Sequence, residues 1–442
     1  MKLRERLAAL GVGQPSAAVT DAGPGPHEVA QRVGFRERLA RHARESPVGP
    51  APQVRLRDLP GAEVLGDGAE AFLRIDRPLD DRETRAALGD WQALWRAEHV
   101  KVLARDGGLA SFDPLRALFI DTETTGLGGA STLVFLIGTI HFAEGRPTLT
   151  QFFMPGPGAE RPYLEQFLEF LGRFEFLVSY NGRAFDVKAV RDRLVMKRFL
   201  DASEALERLP HVDLLHPARR VWQMALVDCR LTTLERDVLG RGRQRDIEGS
   251  MIPAAYYSYL HTGRTEQMLD VLAHNEHDLV SLYLLAVRML RMVASPGEDC
   301  YEALDFLEQT PPPHGSARPE EMLGLGTLLS AGGAARRGKI ALQRGMASHS
   351  TVHRYLARKR LALLHKRGGE LEEAALLWQA MIDENALAEP HAHEELAKYR
   401  EHVERDFEGA LRLVEQGIRL ARGAARAALE HRRARLERRR SC

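Results

Sequence analysis

Two carboxylates one residue apart, Asp121 and Glu123, end the apolar run Ala117-Leu118-Phe119-Ile120. Alternate residues of a strand project to one face, so both acids would share a face at the sheet's end, where solvent and a substrate can reach them. Like charges that close repel unless a cation sits between them, and hard oxygen donors suit Mg²⁺ or Mn²⁺. Taken alone, Asp-x-Glu is better explained as a solvated turn, and its weight comes from further acids elsewhere in the chain.

Asn181-Gly182-Arg183-Ala184-Phe185-Asp186 directly follows the apolar strand Phe176 to Tyr180. This spacing puts Asp186 in the first turn of a helix, where the helix dipole favours an ionised carboxylate, although plain capping would place it there too. In His274-Asn275-Glu276-His277-Asp278 the first and last residues are four apart and share a helix face, offering an imidazole and a carboxylate to one cavity. Asp192 falls on a solvated helix position. Asp213 is a spare carboxylate near the sheet end, able to support the site or to orient Arg219 or Arg220. Arg241, Arg243 and Arg245 lie in a polar loop, a pattern more typical of a solvated run than of phosphate contacts.

The elements that must position these residues can be read from periodicity. Strand patterns cover 117–120, 132–142, 148–154, 176–180 and 212–215, with the first three in a meander, and helical spacing covers 160–173 and 184–196. Thr232-Thr233-Leu234-Glu235 has the form of a capping box, and a long helical stretch runs from Glu266 to Met292 with a break expected near His274. Residues 1–100, rich in Gly and Pro, are expected to be largely flexible, with a small hairpin over 64–75 and an amphipathic helix within 82–103 around Trp91 and Trp95. The predicted divisions are 1–100, an α/β domain over 110–295 and an all-helical region over 315–442. In the last, Leu361-Ala362 is echoed by Leu396-Ala397 and Leu371-Glu372-Glu373-Ala374 by Phe407-Glu408-Gly409-Ala410, a period near that of tetratricopeptide-like hairpins. Its end, with Arg432, Arg433, Arg435 and Arg438 to Arg440, is a basic helix or tail able to give salt-sensitive binding to nucleic acid.

Composition excludes several classes. The 442 residues are ordinary globular material, 44% hydrophobic and 28% charged, and 62 basic against 61 acidic residues leave no bulk attraction for a polyanion, so a nucleic-acid site must be local. Cys229, Cys300 and Cys442 are isolated, without a Cys-x-x-Cys pair, which fits a reducing, cytoplasmic setting. Leu282 to Val287 is the longest apolar run, too short to span a bilayer, and no secretory signal is visible. Gly126-Leu127-Gly128-Gly129 lacks the Lys-Ser/Thr of a P-loop and is expected to form a flexible rim, and His274-x-x-His277 has the wrong spacing for a zinc protease.

Together, Asp121-x-Glu123, Asn181-x-x-x-Phe185-Asp186 and the histidine-led Asp278 resemble the motifs of the DEDD exonucleases, 3′ to 5′ nucleases of ribonuclease H-like fold. More narrowly, Phe119 to Leu127, Leu209 to Arg220 and Cys229 to Glu235 resemble the bacterial YprB-type ribonuclease H-like family, and the resemblance runs from about residue 60 to 295. It implies an α/β fold, a mixed sheet flanked by helices, followed by tetratricopeptide-like helices; the element order permits this fold. It further implies that Asp121, Glu123, Asp186 and Asp278 hold two Mg²⁺ or Mn²⁺ ions. His274 would serve as general base beside Asp121 and Glu123 in catalysis, with Thr124, Asn181 and Phe185 against the substrate. In histidine-type members the base lies five residues before the last Asp, whereas His274 lies four before Asp278, so His277 or a water-mediated role stays open.

The expected function is therefore metal-dependent hydrolysis of single-stranded DNA or RNA, with protein partners for the helical region. A non-catalytic scaffold and an endonuclease are the alternatives, and the choice between DNA and RNA is not written in any of these motifs.

Overall fold

A computed structural model describes residues 55–126, 132–243, 246–295, 318–384 and 387–440. Its centre is β3 (Ala117–Thr124), whose apolar half alternates between two cores. Ala117 and Phe119 enter one hydrophobic cluster and Leu118 and Ile120 the other, all at most 1% exposed. A strand buried on both faces needs this unbroken apolar run; the polarity begins where the cover ends, at Asp121.

β4 (Val134–Ala143) and β5 (Arg146–Phe153) continue antiparallel from β3, giving the expected meander. On its other edge β3 pairs in parallel with β6 (Phe176–Ser179), which pairs in parallel with β7 (His211–Asp213). β1 (Ala62–Leu65) and β2 (Phe72–Pro78) extend the sheet beyond β5, so the seven strands lie in the order β1-β2-β5-β4-β3-β6-β7. The sheet thus starts well before the boundary expected near 110. Residues 55–104 are ordered parts of the fold: α1 (Arg82–Leu94) and α2 (Ala97–Ala104) cover the sheet, and Trp91, 1% exposed, donates its indole N–H to Pro114 O at 2.9 Å. The hairpin near 64–75 and the helix around Trp91 and Trp95 are present as expected; that they join the sheet was not legible, because the pairing of β2 with β5 links residues far apart in the chain. The remainder of the expected flexible region, residues 1–54, lies outside the described residues.

α3 (Glu160–Leu171), α4 (Asp186–Met196) and α8 (Ile252–Thr262) pack with the second cluster; α5 (Leu200–Arg208) leads to β7, and α6 (Leu215–Trp222) and α7 (Leu231–Asp237) follow it. α9 (Glu266–Ala294) is one unbroken helix, without the break expected near His274. It contains neither Gly nor Pro, and it changes cores there instead. Met268, Val271 and Leu272 pack in one cluster, Leu279, Tyr283 and Leu290 in the other, so the polar residues 274–278 mark the crossing over the sheet end. The capping box expected at Thr232 is also absent. Glu235 is 4% exposed and turned to Arg243, while Asp228 accepts from Arg230 N and Thr233 Oγ1 at 3.0 and 2.6 Å.

The helical region is not separated from the sheet. α10 (Pro319–Ala331) and α11 (Ala335–Gly345) contribute Met322, Leu325, Leu328, Leu329 and Ala341 to the cluster that holds Trp222. Gly324 lies so close to the carbonyls of Arg220 and Val221 that any Cβ would collide with them, a requirement that seats α10 on α6. α12 (Thr351–Arg367), α13 (Leu371–Glu384), α14 (His391–Tyr399), α15 (Phe407–Leu420) and α16 (Gly423–Arg440) follow, with Ala362, Ala374, Ala397 and Ala410 fully buried where consecutive helices meet. The arginines of α16 are largely spent on structure: Arg432, Arg435 and Arg439 all pair with Glu401, whose side chain is 0% exposed, and Arg433 pairs with Glu437. No helix among the described residues is long and apolar enough to cross a membrane.

Candidate active site at the end of the central strand

Asp121 and Glu123 follow Phe119 at spacing two and face the crossing of α9. The Asn275 side chain donates from Nδ2 to Asp121 Oδ2 at 2.8 Å, and its own Oδ1 accepts from Gln151 of β5 at 2.9 Å. Room for this bridge exists because residue 138 on β4 is Gly: a Cβ there would occupy the Asn275 carboxamide. Gly138→Ala is therefore expected to expel Asn275, lower stability by about 1–3 kcal/mol and weaken Mn²⁺ binding, as urea titration and calorimetry would register. Unchanged values in both would show that the carboxamide does not set Asp121.

Asp186 arrives from the opposite edge. β3 pairs with β6 only through Phe119, and beyond that point Asp186 Oδ1 accepts from Thr122 N at 2.9 Å and from Thr122 Oγ1 at 2.7 Å. The loop before it is tightly built: Asn181 stands at φ +66°, Gly182 has no room for a Cβ against Ser179, and Asp213 accepts from Asn181 N, Arg183 N and Leu215 N at 2.8, 3.2 and 3.1 Å. Asp213 thus orients backbone rather than Arg219 or Arg220. Phe185 is 53% exposed, free to meet a ligand, while Thr124 turns its hydroxyl onto Gly126 O at 2.6 Å beside a register shift between β3 and β4. Asp192 pairs with Lys188 at 2.6 Å on the surface. Of the glycine-rich rim, 127–131 lies outside the described residues.

α9 completes the cluster. His274 donates from Nδ1 to Asp246 Oδ1 at 2.7 Å, which leaves Nε2 directed at the acids, 3.6 Å from Asp278 Oδ2 and 4.0 Å from Glu123 Oε1. Spacing of four is thus enough to bring the imidazole onto the Asp278 face. His277 has no ion pair or hydrogen bond with these acids among the described residues, where its buried Nδ1 lacks a hydrogen-bond partner.

The solvated reading of Arg243 is overturned. Its side chain is 9% exposed and grips three acids: Glu235 at 2.6 and 2.9 Å, Asp246 at 2.8 Å, and Asp278. Burial disfavours its charge, but these partners outweigh burial and raise its pKa. Arg241 pairs with Glu83 instead, and Arg245 lies outside the described residues. Sequence reasoning missed Asn275, Glu235 and Asp246; no local pattern marks them, since each acts on a residue distant in the chain.

The carboxylates feel one another. Burial, followed by Asp186, Asp278 and Glu123, holds the Asp121 carboxyl well above the usual range; burial, followed by Asp278 and Asp186, does the same to Glu123. Burial also pushes Asp186 up to about 6 despite its two bonds from Thr122. Asp246 goes the other way, because Arg243 and His274 outweigh its burial. Among the described residues no three His, Cys, Asp or Glu side chains form a ready metal cage. Protein partners hold the acids individually: Asn275 holds Asp121, Thr122 holds Asp186 and Arg243 holds Asp278. The donor set still fits hard dications, being all oxygen, half-buried to buried and mutually repelling.

The sheet order and an acid-rich strand end define a ribonuclease H-like domain, a nuclease-type class, and residues 118–290 match the RNase H superfamily model. The chain is also 33% identical over 360 residues, 79% of its length and 82% of the relative's, to the uncharacterized protein YprB of Bacillus subtilis (strain 168). It belongs to the YprB family.

Proposed function

We propose that this protein is a metal-dependent 3′ to 5′ exonuclease that hydrolyses single-stranded nucleic acid. The observation that carries the reading is the gathering of acids at the end of β3: Asp186 accepts from Thr122, between Asp121 and Glu123, and His274 Nε2 lies 4.0 Å from Glu123 and 3.6 Å from Asp278. These four would hold two Mg²⁺ or Mn²⁺ ions. Bound there, such ions supply an activated water and charge stabilisation for the leaving 3′ oxygen. His274 would accept the water's proton at Nε2, its ring held by Asp246 at Nδ1. The half-exposed Phe185 ring would stack on the terminal base, with Asn181 and Thr124 flanking the substrate. The tetratricopeptide-like helical pairs would recruit a protein partner or steady the substrate.

The test uses the full chain with Mn²⁺ and two single strands, one linear and 5′-labelled, the other circular. A ladder shortening from the 3′ end with the circle intact is expected. A nicked circle would make the enzyme an endonuclease, and tight binding without cleavage of either strand would favour a scaffold.

A further inference from the structure

Two adjoining concavities, of about 450 and 540 Å³, share Ala104, Arg183 and His211 in their linings and flank the loop that carries Asp186. The second is lined by Arg105, Arg183, Arg219 and Arg220 together with His216. Its one carboxylate, Asp213, is committed to the backbone N–H groups of Asn181, Arg183 and Leu215. None of these four arginines has an ion-pair partner among the described residues, and only Arg183 has its guanidinium committed elsewhere, donating to His211 O. Burial and the nearby Arg105 charge both lower the pKa of Arg220. Arg105 itself sits at φ 59°, a left-handed conformation disfavoured for a residue with a Cβ, at the end of α2.

Guanidinium groups gathered around a single carboxylate that backbone N–H groups already satisfy form a site for a polyanion, and their planar donor forks match phosphate oxygens. The groove lining contains no Phe, Tyr or Trp, so it offers no stacking platform and would follow a backbone without reading bases. The loop 181–186 joins the two regions: Arg183 lines the groove and Asp186 belongs to the acid cluster. α6, which carries Arg219 and Arg220, is braced from behind by the close approach of Gly324. We infer that this groove, between the end of α2, the loop 181–186 and α6, is a track for the phosphodiester backbone of a single strand whose end enters the carboxylate site. The inference rests on the nuclease reading for its choice of polyanion.

The test measures binding of a labelled oligothymidylate to the full chain in EDTA, across a range of NaCl concentrations. The variant R219A/R220A is expected to bind roughly tenfold or more weakly per guanidinium, and to lower the slope of log K against log[salt] by about 1.4. Arg105→Glu, on a different element, should weaken binding as well, so a fault in α6 alone cannot mimic the result. Wild-type affinity and slope in both variants would overturn the track, as would equal binding of a polyglutamate peptide. Cleavage separates this inference from the nuclease reading. Groove-dependent binding by a chain that never cleaves would leave the track standing and sink the exonuclease. Normal cleavage and binding by R219A/R220A would do the reverse.

Discussion

Asp121→Asn should lower Mn²⁺-dependent cleavage by about a thousandfold, roughly 4 kcal/mol of transition-state stabilisation, while making the metal-free protein more stable. The two effects have opposite signs because one carboxylate serves two balances. In the proposed reaction it would be a dication ligand. Without metal it is a half-buried charge repelled by Asp186, Asp278 and Glu123. The pH dependence follows from the same imbalance. A carboxyl whose pKa is higher folded than unfolded binds more protons in the folded state, so it stabilises fully at low pH, and that contribution is lost as pH rises through the folded value. For Asp186 the window runs from 3.8 to about 6, costing about 3 kcal/mol. His141 and His211, whose pKa values burial lowers to about 4, act in the opposite sense. They contribute equally with and without Mn²⁺, so urea unfolding in EDTA and in Mn²⁺ across this range isolates the carboxylates. If Asp121→Asn destabilises the metal-free chain at every pH and binds Mn²⁺ like wild type, the acids do not share one site.

Arg243→Ala should be the most damaging single change outside the acids. It would strand Glu235, 4% exposed, and leave Asp246 and Asp278 without their shared cation. Breaking a buried ion pair by removing one partner costs about 3–5 kcal/mol, because the remaining charge stays desolvated. Arg243→Lys should recover only part of this, since a point charge cannot meet three carboxylates through a planar fork. Saturating Mn²⁺ should reduce the loss by neutralising Asp278, though not Glu235. Chemical denaturation with and without Mn²⁺ checks both statements, and wild-type stability for Arg243→Ala would mean that Glu235 is neutralised some other way.

The two residues differ in how far each could be foreseen. Asp121 and Glu123 were legible because an apolar strand run and period-two spacing are local features, and Asp186 because a strand, a short loop and a helix start lie within ten residues. His274 and Asp278 were legible as one helix face. Arg243 was not, because a charged loop residue looks the same in sequence whether it meets water or three acids. The Glu235 that holds it mimicked a capping box, and only burial distinguishes the two roles.

The same division runs through the fold. Periodicity alone determined the meander, β6, the long α9 and the small-residue helical pairs, since each depends on side chains close in the chain. Tertiary structure decided the rest. It carried the sheet out to β1 and β2, and it pressed α10 against α6 through Gly324. It also let α9 cross between cores without bending and gathered beside the Asp186 loop four arginines that have no carboxylate partner among the described residues. Those outcomes depend on which surfaces meet after collapse, and burial and Coulomb energy between distant residues leave no periodic mark in the chain that encodes them.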